Sequence, residues 1–136
     1  MVAGAWTVDE TFDTLSAAPE ANLAQFIALD PDGRRAYVPQ TLSFSSRTDL
    51  AYNNAVQPII HVLALRHGEP PSPLSLSTPE QAVNLPFAVA LAPDGSRLYV
   101  ANAGSDLVTV LDLGAGATLA QLPTGHNPRG LALSPD

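Results

Sequence analysis

Short apolar runs separated by turn-forming residues recur along this chain. Residues 88–92 and 97–101 are two such runs, apolar, partly β-branched or aromatic, and too short for helices. Between them, Pro93 favours the first central position of a type I turn, and Gly95 can adopt the left-handed conformation that follows it. The pattern therefore predicts a β-hairpin over residues 86–102.

The hairpin belongs to an internal repeat. Residues 29–38 match residues 91–100 at an offset of 62, and a third copy begins 42 positions after the second, at residue 133. Matching 58–65 to 106–113 places fourteen extra residues of the first full unit before its third strand, and six after that strand. A unit of 42 residues with four strand-like pieces is typical of a β-propeller blade.

The predicted fold class is all-β: a fragment of a β-propeller with four-stranded antiparallel blades, about two and a half in number. The predicted divisions are the end of a preceding blade, an enlarged blade with a long loop at 41–57, a regular blade and the start of a further blade: 1–22, 23–84, 85–126 and 127–136. Propellers typically close with about four to eight blades, so we expect further blades from a longer chain or from further copies.

Each blade is expected to contain four strands. In the enlarged blade the second strand should end at Pro39, because proline cannot donate to a ladder, and residues 25–30, 58–65 and 75–78 should form the inner, third and outer strands. In the other units the expected strands are 87–92, 97–102, 106–113, 117–122 and 129–134.

Composition excludes several classes of function. Six Arg, no Lys and thirteen acidic residues give a net charge of −7, which opposes binding to nucleic acid. No apolar run approaches the ~20 residues of a membrane-spanning helix. The chain has no Cys, so it offers neither thiolate ligands nor a CxxCH haem attachment. No cofactor and no metal are expected, and residues 1–5 do not resemble a signal peptide.

Candidate chemistry lies where the blades join. In an up-and-down blade, the loop between strands two and three opens on the same face as the connections between blades, so 41–57 should share a face with 19–23, 79–85 and 123–127. Propeller ligands commonly bind at such a face, by analogy of fold. The predicted ligand-binding residues, drawn from the last junction and from the long loop, are His126, Asn127, Arg129, Arg47, Asp49, Tyr52, Asn53 and Asn54.

Each of these candidates has a second interpretation. His126 suits a metal ligand, an approach to a haem in a neighbouring domain or a base near neutral pH, and equally a solvated loop histidine. Arg129 suits an anion site or an ion pair with an acidic neighbour. His61, in the middle of a strand, is interpreted as a packed core histidine.

Three stretches carry a resemblance to a known family: RLYVAN, LVTVLDL and HNPRGLALSPD. They resemble the YVTN-type β-propeller repeat of bacterial YncE-like and lactonase-like proteins. They are also similar to propeller segments that accompany haem domains in cytochrome- and peroxidase-like proteins. The resemblance implies a bacterial, periplasmic or extracellular protein.

The predicted function is a repeat scaffold that binds a protein or small-molecule ligand and is non-catalytic by itself, because the blades are regular and no catalytic constellation stands out. The alternative, implied by the resemblance, is part of an enzyme. That enzyme is either a lactonase-like hydrolase or a protein whose haem domain lies outside this chain.

Overall fold

Strands alone make up the regular structure of the described chain. The computed structural model describes residues 21–44, 56–65 and 72–134. The first sheet has the order β1-β3-β4-β5, with β2 also on β3, and comprises β1 (Ala21–Asn22), β2 (Ala28–Leu29), β3 (Arg35–Ser43), β4 (Val56–Ala64) and β5 (Ser72–Ser75). The second has the order β6-β7-β8-β9 and comprises β6 (Pro86–Leu91), β7 (Arg97–Asn102), β8 (Leu107–Asp112) and β9 (Ala117–Pro123). Every pairing is antiparallel.

This architecture confirms the predicted fold class: all-β, with antiparallel propeller blades of four or five strands each. The strands of the second blade agree with their predicted bounds to within one residue at each end. Across the described ranges, no helix is long and apolar enough to cross a membrane.

The same ladder is built twice. Ala28 pairs with Tyr37 in the first blade as Ala90 pairs with Tyr99 in the second, which is the predicted offset of 62. The hydrogen bonds between the second and third strands are also equivalent in the two blades, although the third strands are offset by 48 residues instead of 62. Leu65 donates its N–H to the Arg34 carbonyl (2.7 Å), as Leu113 does to that of Ser96 (3.0 Å). Fourteen extra residues therefore separate the equivalent positions of the second and third strands in the first blade.

Both hairpin turns close as their sequences predict. Gly33 and Gly95 have φ of 66° and 72°, and each donates its N–H to the carbonyl three residues earlier, at 3.1 and 2.9 Å. This is the left-handed position that follows the Pro-Asp pair, and a side chain with a Cβ is strained there.

The main core lies between the two sheets. Tyr37 and Ile60 of the first blade, with Leu76 and Val83 of the connection, pack against aliphatic side chains of the second blade: Val89, Leu98, Val100, Leu107 and Leu111. Because β-strand side chains alternate between faces, the face of the first blade that carries Ala36 and Leu63 points away from this core and forms a separate cluster.

The predicted end of the second strand at Pro39 is wrong. Strand β3 continues through Pro39 to Ser43, and β4 begins at Val56, so the predicted loop 41–57 is strand at both ends. The N–H of Leu65 bonds to Arg34, and alternate residues point the same way, so Pro39 directs its nitrogen away from β4. On that side it meets the break between β1 and β2, where the sheet offers no partner to lose.

Three other predicted strands differ from the structure. Of the predicted inner strand 25–30 only β2 forms, and β1 precedes it within the predicted end of the preceding blade. The outer strand predicted at 75–78 is found at Ser72–Ser75, and residues 129–134 form no strand. In the outer ladder Ile59 pairs with Ser75 as Leu107 pairs with Pro123, so the six extra residues lie in the connection that follows β5. Residues 1–20, predicted to end a preceding blade, lie outside the described residues.

Candidate functional site

One end of the two sheets gathers the connections between blades, and we call it the junction end. There Asn22 donates its side-chain N–H to the Ser43 hydroxyl at 3.4 Å, and Gly104 donates its N–H to the Asn84 carbonyl at 3.1 Å. The chain entering each blade therefore lies beside the connection between that blade's second and third strands. This is the shared face that the up-and-down topology predicts.

The junctions repeat an unusual backbone conformation. Leu23, Leu85 and Asn127 have positive φ of 59°, 51° and 54°, and they are separated by the two repeat offsets. A positive φ strains any residue with a Cβ, least of all Asn or Asp. The strained residue is the first of each predicted unit, so the bend recurs at the start of each repeat.

Asp106 secures the last junction. Its Oδ1 accepts the N–H of Asn127, and its Oδ2 lies against Nδ1 of His126, each at 2.7 Å. Its carbonyl also accepts the N–H of Thr124 at 2.8 Å. Asp106 itself has a φ of 55° in the tight turn between β7 and β8, a conformation that aspartate tolerates. One carboxylate therefore holds both His126 and Asn127.

This environment fixes the hydrogen-bonding state of His126. The pKa of Asp106 is lowered, first by the hydrogen bond from the Asn127 N–H and then by the one from His126. An ionised carboxylate only accepts hydrogen bonds, so Nδ1 of His126 carries the proton that this hydrogen bond donates. The His126 side chain is 98% exposed, so the ring is held on one side and open to solvent on the other.

Arg129 is oriented by two contacts. Its Nε donates to Oδ1 of Asn127 at 3.1 Å, and its guanidinium carbon lies 4.9 Å from the centre of the Phe87 ring. A guanidinium held on an aromatic face retains its terminal N–H groups for a further acceptor. No described carboxylate forms an ion pair with Arg129.

At the preceding junction, other side chains form the hydrogen bonds around the residue with positive φ. Leu85, the strained residue there, donates its N–H to Oδ1 of Asn84 at 2.8 Å. Asn84 donates its own N–H to the Ser105 hydroxyl, also at 2.8 Å. Neither group is charged. The last junction alone, among those in the described ranges, combines a carboxylate, an imidazole and a guanidinium.

The structure brings together three of the eight predicted ligand-binding residues: His126, Asn127 and Arg129. The five from the long loop, Arg47, Asp49, Tyr52, Asn53 and Asn54, lie outside the described residues. Within the described ranges, no group of three or more His, Asp or Glu side chains could hold a metal ion. The cluster therefore presents the His126 imidazole, held by Asp106, and the Arg129 guanidinium, whose terminal N–H groups are available to a further acceptor.

Two residues of the cluster were not predicted from the sequence. The sequence pattern places Asp106 only at the start of the predicted strand 106–113. An aspartate next to Gly104-Ser105 is nevertheless typical of a turn in which the aspartate side chain accepts hydrogen bonds from nearby backbone N–H groups. Phe87 occupies the repeat position of Arg129, 42 residues earlier. The alignment of the repeat units pairs Phe87 with Arg129, and this pairing could have identified the contact between them.

The fold is also found in a solved structure. The chain resembles Kuenenia stuttgartiensis hydrazine synthase with a TM-score of 0.72 and 20% sequence identity, over 80% of this chain and 38% of that one. At this identity the likeness shows the fold alone, and the chain spans less than two thirds of the length of its neighbour. No protein-family model and no curated protein matches the sequence.

Proposed function

We propose that this chain is a β-propeller scaffold that binds a protein or a small-molecule ligand at the junction end. The observation that carries the proposal is the outward presentation of His126 and Arg129. Binding sites on scaffolds need side chains whose conformations are set before the ligand arrives, because this lowers the entropy lost on association. Asp106 and Phe87 supply that orientation here.

The chemistry of the pair suggests a partner with an anionic group close to a second hydrogen-bonding group. The terminal N–H groups of Arg129 suit a carboxylate or phosphate, and Nε2 of His126 offers a further hydrogen-bonding atom beside them. The net charge of −7 repels an extended polyanion, so the anionic group would be a local feature of the partner.

Site-specific photo-crosslinking tests the proposal. A benzoylphenylalanine replaces Gly125, the exposed neighbour of His126, in one sample of the full-length protein and Ala115 in a matched control. Ala115 is exposed in the turn between β8 and β9, at the opposite end of the same sheet. We expect partner adducts in the native cell from position 125 and none from position 115. The same adducts from both positions, or none from position 125, would overturn the proposal.

Arg129→Ala extends the test to the second group. It should remove the adducts formed at position 125, whereas Arg97→Ala, on the opposite end of the second sheet, should preserve them. Adducts that survive Arg129→Ala would restrict the binding role to the surroundings of His126.

We also propose that the chain belongs to the YVTN-type repeat proteins of bacteria, and that it lies in the periplasm or outside the cell with further blades beside it. The motifs RLYVAN and LVTVLDL, which form β7 and β8, support the family assignment. Fractionation of the source cells tests the compartment, and recovery only in the cytoplasm would contradict it.

A second candidate is a part of an enzyme, favoured by the likeness to a chain of hydrazine synthase. A lactonase-like hydrolase or a propeller accompanying a haem domain are the two forms of this proposal. A CxxCH motif elsewhere in the full reading frame would favour the haem protein. Turnover of a lactone substrate that is lost in His126→Ala would favour the hydrolase, and unchanged turnover would remove His126 as a catalytic candidate.

A further inference from the structure

A cleft lies between the two blades at the end opposite the junctions, where the hairpin turns are. Its volume is about 160 Å³. The polar lining comes from the first blade, through Arg35, Tyr37 and Ser72, and the apolar lining comes from both blades, through Val62, Leu74 and Leu113. No residue of the junction cluster contributes to it.

Two polar groups of the cleft lie together on β3, and the third, Ser72, lies on β5 with β4 between them. The guanidinium of Arg35 interacts with the Tyr37 hydroxyl, and the remainder of the Tyr37 side chain is buried in the core between the blades. Asp30 lies close enough to Arg35 for their charges to interact, but no described carboxylate forms an ion pair with the Arg35 guanidinium. The cleft therefore has one cationic corner whose guanidinium is not held in an ion pair within the described ranges.

The apolar groups of the cleft set the size of what would fit. An apolar cavity of about 150 Å³ holds one benzene molecule. Val62 and Leu74 supply aliphatic lining on the sheet that also carries Arg35, and Leu113 adds aliphatic lining from the second blade, while Arg35 and Ser72 are exposed. The combination suits a ligand with one anionic end and one compact apolar end.

We propose that this cleft binds a small monocarboxylate with an aromatic or branched apolar part. The carboxylate pairs with Arg35 and the Tyr37 hydroxyl, and the apolar part lies against Val62, Leu74 and Leu113. The site is independent of the proposed function, because it lies at the other end of the sheets and uses different residues.

The repeat supplies an internal control. Arg97 and Tyr99 are the equivalents of Arg35 and Tyr37 at the offset of 62, and they line a wider hollow of about 470 Å³. All the residues lining that hollow come from one hairpin, and within the described ranges no residue of another strand pair lines it. The same arginine and tyrosine without the cleft should not retain the ligand.

Titration of the full chain with sodium benzoate, followed by calorimetry and by amide NMR shifts, tests the proposal. We expect saturable binding with a dissociation constant on the order of 1 mM, as befits a ligand of this size. Loss of a charge-assisted hydrogen bond costs enough to weaken binding about tenfold to hundredfold, and Arg35→Gln should do so. Arg97→Gln should leave the affinity unchanged.

Two further measurements keep the result clear if a variant folds poorly. Benzamide, which has the same ring without the charge, should bind the unaltered chain more weakly by a similar factor. Ala64→Leu, which extends a side chain from the cleft wall, should displace benzoate while the melting temperature reports on folding. The proposal is overturned by the absence of saturable benzoate binding, by equal affinity for benzamide, or by equal effects of Arg35→Gln and Arg97→Gln.

Discussion

The two blades share one ladder but differ at its edges. In the second blade β6 is a continuous first strand, whereas in the first blade the same place is divided between β1 and β2. The second and third strands join through residues 103–106 in one blade and through residues 44–55 in the other. The middle strands nevertheless pair in the same register. The pairing of the middle strands specifies the blade, and the edges tolerate change.

The blades also share a buried polar pair at equivalent positions. Gln40 and His61 are 3.1 Å apart in the first blade, and Asn102 and Thr109 are 2.9 Å apart in the second. All four side chains are buried. Within the described ranges, Oδ1 of Asn102 has no hydrogen-bond partner, although its Nδ2 has several. Both blades therefore bury polar side chains at these two equivalent positions, but only the pair in the first blade contains an ionisable group, His61.

The largest expected difference between the blades is in their aliphatic cores. Leu111 is fully buried in the core between the sheets, whereas its equivalent Leu63 is 7% exposed and belongs to a smaller cluster. Leu111→Ala should lower the free energy of unfolding by about 2–5 kcal/mol, and Leu63→Ala should lie at the lower end of this range. Urea denaturation measures both. A larger loss from Leu63→Ala would contradict the location of the main core.

The turns should respond alike in both blades. Gly33→Ala and Gly95→Ala each force a Cβ into a positive φ, which should cost about 1–2 kcal/mol of unfolding free energy. A Cβ at either position meets no close contact, so the conformation alone is responsible. Gly125→Ala is the matched control, because it has open space and no positive φ. Thermal denaturation should separate the two turn variants from the control, and a neutral Gly33→Ala would break the equivalence of the turns.

Acid should weaken the first blade through His61. Burial lowers the pKa of His61 from its ordinary value of 6.5, so the unfolded chain takes up a proton at a pH where the folded chain does not. The stabilisation is complete above pH 6.5 and is lost as the pH falls below it, by at most about 1.4 kcal/mol per pH unit. The lowered pKa of Asp106 acts below its ordinary 3.8, outside this window.

Replacement of His61 by the residue of the other blade isolates this effect. His61→Thr should remove the part of the acid sensitivity between about pH 7 and pH 5 that belongs to this site. Urea denaturation at several pH values measures it. If the variant and the unaltered chain lose stability in parallel over this range, His61 is not the responsible group.

The smallest effect concerns the junction cluster. Asp106→Ala should release His126 from its Nδ1-protonated form, because the carboxylate that accepts this proton is gone. The imidazole nitrogen chemical shifts should move toward those of a mixture of tautomers. Ser105→Ala, which alters the preceding junction, is the control and should leave the imidazole shifts of His126 in place.

The repeat made most of the second blade predictable, because each strand there has both a turn signal and a copy. Pro39 misled the prediction, since its nitrogen faces a break in the sheet that only the three-dimensional pairing reveals. The sequence predicts His126 and Arg129 as site residues, but it does not predict Asp106, the residue that holds His126 in place. His126 and Arg129 stand out as rare side chains, whereas the role of Asp106 depends on a backbone bend at Asn127.

The duplicated ladder is tested most directly by cross-strand Hα–Hα nuclear Overhauser effects. Tyr37 faces Val62 and Tyr99 faces Val110 at non-hydrogen-bonded positions, where the Hα atoms of antiparallel strands approach each other closely. We predict strong signals for both pairs in the same spectrum. A signal between Tyr99 and Val110 without its counterpart, or Tyr37 in contact with the Hα of another residue, would contradict the shared architecture of the two blades.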